Sequence, residues 1–512
     1  MAVSSPLSQA NADEGEAAPN AALPSSSASG EQGAKKKPKG PDRSFKYVIV
    51  GGGVAGYHAM ITLRQHDPEA TILVVGEEHH QPYERPPLTT ELWASPDPEV
   101  DRNLRFVSWA GEEISVYLAE DPDFVEPTTF LEGRQVIGLH PGQRAIILDE
   151  DYEVINYEKL LLATGAEPKV LDQIDDAVLS HVSTYREIED FQLLHRLTRD
   201  RQEPVRVAVV GGSFLGTELV TALHQRSGVQ VTQVTSGAGP LSNILPGYLA
   251  EEVKRRLSAK GIQIVSDDRA VSLTLPTGSE TEAATKGVQI NLQNGSPLVA
   301  DHVVLAIGVS PRVDLAIDAK LEVDAKNGIA VGSQFQTSLS DIYAAGDVAS
   351  YYDMNMSRRR VVPHFDHASI SGQSAAMNMI GAKSVPYAYE PFYWVTLPDG
   401  LGLHGVGITD PSLETVSVWR EPADPEQPKK FDVGIVYYLE PVSATRKRIV
   451  GVLLWNLAER IHSARKVLTL SQSQITNPED CIRKIALFPP EPIPEDEEQD
   501  ETPQQSSETV QN

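Results

Sequence analysis

Short, nearly unbroken apolar runs alternate with stretches of helical period along most of the chain. Residues 47–50 (Tyr-Val-Ile-Val) run into glycines, apolar positions at helical spacing follow over about 54–65, and Ile-Leu-Val-Val stands at 72–75. A run without polar interruption reads as a strand buried on both faces. Strand, glycine turn, helix and strand within about thirty residues make a βαβ unit, which implies a parallel sheet. The same order recurs at 205–210, a second glycine turn, a helix over about 215–225 and a strand at 229–234. Two such units predict two α/β domains. From 392 to 487 there is no glycine turn of this kind, and the strand-like runs at 433–439 and 449–455 predict a third, α+β domain. Residues 1–44 are rich in Ala, Ser, Pro, Gly and Gln, and 489–512 in Pro and acids; neither can bury enough apolar surface to offset its ordering entropy, so both are expected to be disordered.

Composition narrows the function classes. Hydrophobic residues make up 40 % and charged residues 22 % of 512, as in ordinary soluble domains. No stretch approaches the ~18 consecutive apolar residues of a membrane-spanning helix. A single cysteine, Cys481, excludes an intramolecular disulfide or a CxxC redox pair, and it reads as a packing residue. The formal charge of −27 repels phosphate backbones, so nucleic acid is an unfavoured partner. The basic run Arg358-Arg359-Arg360 reads as a solvated loop or as a neutraliser of nearby acids, and Lys35 to Lys39 as part of a solubilising linker. No apolar leader or arginine-rich presequence is visible before Arg43, so the start is expected to be a boundary left after a presequence was removed.

The chemistry sits in the glycine turns. Gly51-Gly52-Gly53-Val54-Ala55-Gly56 is a complete GxGxxG. Gly51 permits the tight turn, Gly53 lets a pyrophosphate approach the backbone, and Gly56 allows close helix–strand packing, while the helix N-terminus faces the phosphates. Glu77 lies 26 residues after Gly51 at the end of the second strand, where a carboxylate can accept ribose hydroxyls. The second turn, Gly211-Gly212-Ser213-Phe214-Leu215-Gly216, has Ser213 in place of the central glycine. Its following strand ends in Thr235-Ser236-Gly237, without an acid for a ribose or an arginine for a 2′-phosphate. It is read as a nicotinamide dinucleotide site, NADH or NADPH, with a degenerate scaffold as the alternative. Two further strand ends, Ala163-Thr164-Gly165 and Gly346-Asp347, place small residues beside the first nucleotide and an Asp within reach of a ribityl hydroxyl. Two dinucleotide sites without a catalytic cysteine point to a flavin exchanging hydride with a nicotinamide.

The order GxGxxG, ATG, second glycine turn, GD resembles the flavoprotein superfamily with two dinucleotide-binding domains. The run Pro82-Tyr83-Glu84-Arg85-Pro86-Pro87-Leu88-Thr89-Thr90-Glu91-Leu92-Trp93 is similar to a motif of the apoptosis-inducing factors and ferredoxin reductase-like enzymes. His364 to Ala368, Phe392-Tyr393-Trp394, Gly451 to Asn456 and Ala464-Arg465-Lys466 resemble the apoptosis-inducing factors more narrowly. The resemblance implies a glutathione reductase-like α/β fold: an FAD domain at 45–165 and 305–391, an NAD(P)H domain at 166–304 and an α+β domain at 392–488. It also implies FAD, oxidation of NADH (NADPH possible), an acceptor that is a quinone, a small carrier or oxygen, and the mitochondrial intermembrane space or inner membrane; the cytoplasm is the alternative. No metal is called for.

Carried over by position, FAD contacts fall on Gly51 to Ala55, Glu77, Glu78, Arg85, Val136, Arg186, Asp347, His364 and Trp394. Nicotinamide contacts fall on Gly212 to Leu215, Glu218, Gly308, Trp394 and Asn456. Thr90, Glu218, His364 and Trp394 are the candidate catalytic set, although His364 and Trp394 also read as core residues on their own, and Trp109 as packing. The chain departs from the resemblance at Thr90, where a lysine would pair with Glu218. It departs again at Gly237 and Pro363, which replace nucleotide-contacting acids. Val331 and Leu339 replace arginines linked to reduction-dependent dimerisation, so both monomer and redox-dependent dimer stay open. The rival readings are a redox sensor whose slow flavin reduction exposes a partner surface, and a ferredoxin- or monodehydroascorbate-type reductase; a DNA-binding effector is the least favoured.

Overall fold

The computed structural model describes residues 43–471, apart from 109, 120–127, 200–202, 277–286, 325–327, 382–385, 398–399, 421–430 and 445. Residues 1–42 and 472–512, Trp109 and Cys481 lie outside the described residues, whereas Arg43 and Ser44, expected to be disordered, open the first strand because they pair with Ile155 and Asn156.

The first βαβ unit forms as read. Strand Arg43–Val50, helix Val54–His66 and strand Ile72–Val75 follow one another, and all four residues of the last strand are buried. Parallel neighbours extend the sheet: Thr128–Leu131 beside Ile72–Val75, and Val154–Leu162 beside Arg43–Val50. After a long excursion the chain returns, and Ile342–Ala344 pairs in parallel with the end of Val154–Leu162. Helix Phe365–Ile380 then packs against Val54–His66. Their approach is close enough that a side chain at Gly372 would meet the Ala55 carbonyl.

The second unit forms a five-stranded, wholly parallel sheet in the order Val182–Thr184, His302–Leu305, Val205–Val210, Val229–Val234, Gln263–Val265. Its helix is Phe214–His224. The C-terminal part is a five-stranded antiparallel sheet in the order Phe392–Leu397, Leu401–Gly407, Arg446–Trp455, Gly434–Ser443, Glu414–Trp419. Helix Ile461–Ser471 packs on this sheet. The central strands are buried along most of their length because the helix covers one face and the rest of the molecule the other.

The basic run departs from the solvated-loop reading. Arg358–Arg360 is a strand antiparallel to Ala349–Asp353. Arg360 is buried and donates to Asp353 and Glu390 at 2.7 Å each, Arg359 to the carbonyls of Val331 and Ser350, and Arg358 to Glu440 at 2.5 Å. The run thus follows the neutraliser reading: Asp353 lies seven residues from Arg360, Glu390 thirty from it and Glu440 eighty-two from Arg358, and this neutralisation is what lets the run enter a sheet.

Candidate functional site

Both glycine turns sit at the carboxyl ends of parallel strands, the position where open α/β sheets bind ligands. In the first, Gly51 has φ +118°, and a Cβ there would strike the Ala163 carbonyl. Gly56 is pressed against the Gly51 carbonyl and Ile49, whereas a Cβ on Gly53 would meet nothing within 4 Å. A side chain at Gly53 would therefore project into open space, the cradle a pyrophosphate needs. Gly53 is the N-cap of helix Val54–His66 and no side chain caps it, so first-turn N–H groups stay available to an anion. The second turn repeats this geometry. Gly211 has φ +135° and faces Ala306, Gly212 faces Thr235, Gly216 faces the Gly211 carbonyl, and Ser213 is an N-cap whose hydroxyl makes no capping bond.

One cavity of about 1250 Å³ joins the two turns. That exceeds the ~300–1,000 Å³ of a typical small-ligand pocket. Gly51 to Ala55, Glu77, Glu78, Arg85, Val136, Thr164 and Gly165 line it, as do Arg186, Gly346 and Asp347. Ser213, Phe214, Leu215, Glu218, Gly308, His364 and Trp394 line it as well. Gly56, Gly211, Gly212 and Gly216 shape the turns without lining the cavity.

Its charged wall is rigidly paired. Arg85 donates to Glu78 at 2.6 Å, to the Tyr83 hydroxyl at 2.9 Å and to the Arg186 carbonyl at 2.7 Å. Burial raises the Glu78 carboxyl, but the Arg85 charge and the Tyr83 hydroxyl outweigh it and hold the group below the usual carboxylate range. Arg186 donates to Asp347 at 3.2 Å. Burial, helped by the nearby Arg85 charge, pulls the Arg186 guanidinium below its ordinary value. Arg312 donates to Glu77, the expected ribose acceptor. Elsewhere on the lining His364 stands edge-on to Trp394 with ring centroids 4.8 Å apart. Burial brings the His364 imidazole down to about 4 although Asp347 opposes it, so the ring is neutral at pH 7.

Two assignments change. Glu218 does face the cavity, but Thr89, not Thr90, donates to it, at 2.8 Å. Thr90 turns its hydroxyl to the Pro86 carbonyl at 2.9 Å and to Glu91, because the tight turn Pro86–Leu88 rotates successive side chains apart. Asn456 does not line the cavity. Its side chain accepts from Gly402 N–H at 2.7 Å and donates to the Asp432 carbonyl at 2.8 Å, while its own backbone holds φ +54°. Asn456 is thus a bracket between strands of the C-terminal sheet. Sequence reasoning passed over Thr89, Arg312 and Tyr393, all of which line the cavity. Thr89 lay inside the quoted proline motif. Arg312 carried no local signal, since its partner is 235 residues away.

The sequence profile of the pyridine nucleotide-disulphide oxidoreductases matches residues 45–372, and that of the C-terminal, mitochondrion-associated part of apoptosis-inducing factor matches 375–431 and 420–470. The chain is 35 % identical over 429 residues to apoptosis-inducing factor 1, mitochondrial, of Dictyostelium discoideum, covering 83 % of this chain and 78 % of that protein. It is 31 % identical to the putative apoptosis-inducing factor 1, mitochondrial, of Drosophila melanogaster, covering 82 % of this chain and 63 % of the fly protein. The fold matches a crystal structure of the ferredoxin reductase for the CYP199A2 system from Rhodopseudomonas palustris with a TM-score of 0.69 at 23 % identity, over 86 % of this chain and all of that one.

Fold and cavity together define a pyridine nucleotide-dependent flavoprotein oxidoreductase that uses FAD and NAD(P)H. Residues 45–372 contain no cysteine, so the disulphide for which the pyridine nucleotide-disulphide oxidoreductases are named has no counterpart in this chain. Within that class the chain belongs to the apoptosis-inducing factor family. Among the described residues, no helix is long and apolar enough to cross a membrane.

Proposed function

We propose that the chain holds FAD along Gly51 to Ala55, Glu77, Glu78, Arg85, Val136, Arg186 and Asp347, and NAD(P)H along Ser213 to Leu215, Gly308 and Glu218. The observation that carries this reading is the single cavity running from one glycine turn to the other past Glu218, His364 and Trp394. FAD, when bound, accepts the hydride of NAD(P)H and passes electrons onward. The chain's residues bind, orient and tune. Helix N-termini and open glycine backbone meet the phosphates, Arg186 and Asp347 fix each other beside the first cofactor, and the Trp394 face and neutral His364 close the reacting end. Without a dithiol relay, the acceptor is a quinone, a small electron carrier or oxygen. The division into 45–165 with 305–391, 166–304 and 392–488, a mitochondrial location, and a part in redox signalling and cell death belong to the same proposal.

A redox sensor with slow turnover is the second reading, favoured by a Glu218 whose hydrogen-bonding partner among the described residues is the neutral Thr89 hydroxyl and by a strand Val229–Val234 that runs into Thr235-Ser236-Gly237 without an acid. Anaerobic stopped-flow absorbance of the FAD-loaded protein with NADH and, separately, NADPH decides. Fast bleaching of the flavin and reoxidation by a quinone establish the oxidoreductase and its donor. Slow bleaching to a long-lived reduced state favours the sensor, and no bleaching by either donor overturns both.

A further inference from the structure

Glu218 stands on the first turns of helix Phe214–His224, on the wall where the two glycine turns meet. Its side chain has one hydrogen-bonding partner among the described residues, the buried Thr89 hydroxyl, which donates to Oε2 at 2.8 Å. A neutral hydroxyl cannot balance a carboxylate's charge. Among the described residues, the elements packed around it do not supply an uncommitted cation either. From Glu91–Ala94 comes Glu91, a like charge, and from Phe392–Leu397 comes Tyr393, whose hydroxyl is bonded to Thr409 at 2.6 Å. The turn Pro86–Leu88 is flanked by Arg85, whose guanidinium is taken up by Glu78, Tyr83 and the Arg186 carbonyl. Strand Val205–Val210 has only Arg206, bound to Asp301 at 2.7 Å, and strand Val229–Val234 has no charged residue.

We propose that Glu218 is a proton-linked discriminator of nicotinamide charge: protonated when the site is empty or holds the uncharged reduced ring, and ionised with loss of its proton to solvent when the oxidised, cationic ring is bound. The inference rests on the nicotinamide site proposed above. Burial, with Glu91 adding to it and Thr89 opposing, pushes the carboxyl up to about 8, so a proton is present to be released at pH 7. An oxidised nicotinamide carries a fixed positive charge, and a nearby cation favours the ionised form of a carboxyl group. Filling the cavity also expels water, which strengthens that interaction. Proton and cation are then linked: NAD+ binds more tightly as pH rises, and the reduced dinucleotide does not.

The test is isothermal titration calorimetry of the FAD-loaded, oxidised protein with NAD+, in phosphate and in Tris at pH 6, 7 and 8. The comparison ligand is the uncharged 1,4,5,6-tetrahydro-NAD, which cannot donate hydride. The buffer dependence of the heat counts protons. The expected result is release approaching one proton per NAD+ at pH 7 and none with the tetrahydro analogue. NAD+ affinity should rise severalfold, up to tenfold per pH unit, between pH 6 and 8. Glu218→Gln should abolish both effects, and Thr89→Lys, by supplying a cation at the position that faces Glu218, should ionise Glu218 in advance and also abolish proton release. NAD+ binding without proton release in the wild type, or release that survives Glu218→Gln, overturns the proposal while leaving the site intact. Failure of both dinucleotides to bind overturns the nicotinamide site itself and the proposal with it. The two-ligand comparison on the wild type suffices if either variant fails to fold.

Discussion

Replacing Arg360 with Met removes the centre of a buried ion cluster. One Arg360 nitrogen donates to Asp353 Oδ2 and to Glu390 Oε1, each at 2.7 Å, and the other donates to the Gly407 carbonyl at 3.2 Å. All three ionic side chains are less than a tenth exposed. The cluster joins strand Arg358–Arg360 to the C-terminal sheet, since Glu390 precedes Phe392–Leu397 and Gly407 ends Leu401–Gly407. Met matches the arginine stem in volume but leaves two carboxylates facing each other in a dry site. Removing one partner of a buried ion pair costs about 3–5 kcal/mol, mostly as the penalty of the charge left behind. Burial already raises Glu390 even against the Arg360 charge, so with the arginine gone it takes up a proton more readily. The cost should therefore be largest near pH 7 and shrink toward pH 5 as Glu390 becomes protonated. Urea unfolding followed by tryptophan fluorescence reports on it, because Trp394, Trp419 and Trp455 all lie in the C-terminal sheet. The triple variant Arg360→Met, Asp353→Asn, Glu390→Gln should recover most of the loss, as coupled sites are not additive. A loss below about 1 kcal/mol for Arg360→Met, or one independent of pH, refutes this reasoning.

Gly51→Ala should abolish FAD retention, because φ +118° and the Ala163 carbonyl both exclude a Cβ; the flavin-to-protein absorbance ratio after purification checks it. His367 is fully buried and burial lowers it to about 3, with Arg360 and His364 adding to the effect. The unfolded chain binds that proton near 6.5, so this contribution is complete above pH 6.5 and lost as pH falls toward 3, by at most about 5 kcal/mol. His367→Phe should flatten that limb of a stability–pH curve measured by chemical denaturation, and an unchanged limb would count against it. Asn456→Ala should cost about 1–3 kcal/mol of stability through its two lost backbone bonds while leaving NADH affinity within twofold. A large rise in the dissociation constant with unchanged stability would return Asn456 to the nicotinamide site.

Much of the architecture was legible along the chain because its signals are local. An apolar run, a glycine turn and a helical period state a βαβ unit within about thirty residues; strands Ile72–Val75, Val205–Val210 and Val229–Val234 formed where the pattern put them, and Arg43–Val50 began ahead of its apolar run. Gly51 and Gly211 were readable for the same reason, since a positive φ against a neighbouring strand's carbonyl tolerates little else. The C-terminal strands proved longer than the apolar runs suggested. Gly434–Ser443 and Arg446–Trp455 continue into polar residues because pairing, once begun, extends along the backbone.

Partnerships between distant residues were decided only by the tertiary structure. Local sequence separates Thr89 from Thr90 by nothing but position; the turn Pro86–Leu88 decides which hydroxyl meets Glu218, 129 residues further on. Three consecutive arginines read equally as a solvated run or as a neutraliser of nearby acids such as Asp353, and folding decides by also bringing Glu390 and Glu440 to them. Asn456 matched a site motif by order along the chain, yet strand register spends its amide on Gly402 and Asp432. Backbone conformation follows from neighbours within a few residues, whereas the charge state and reach of a side chain depend on what the whole fold packs against it.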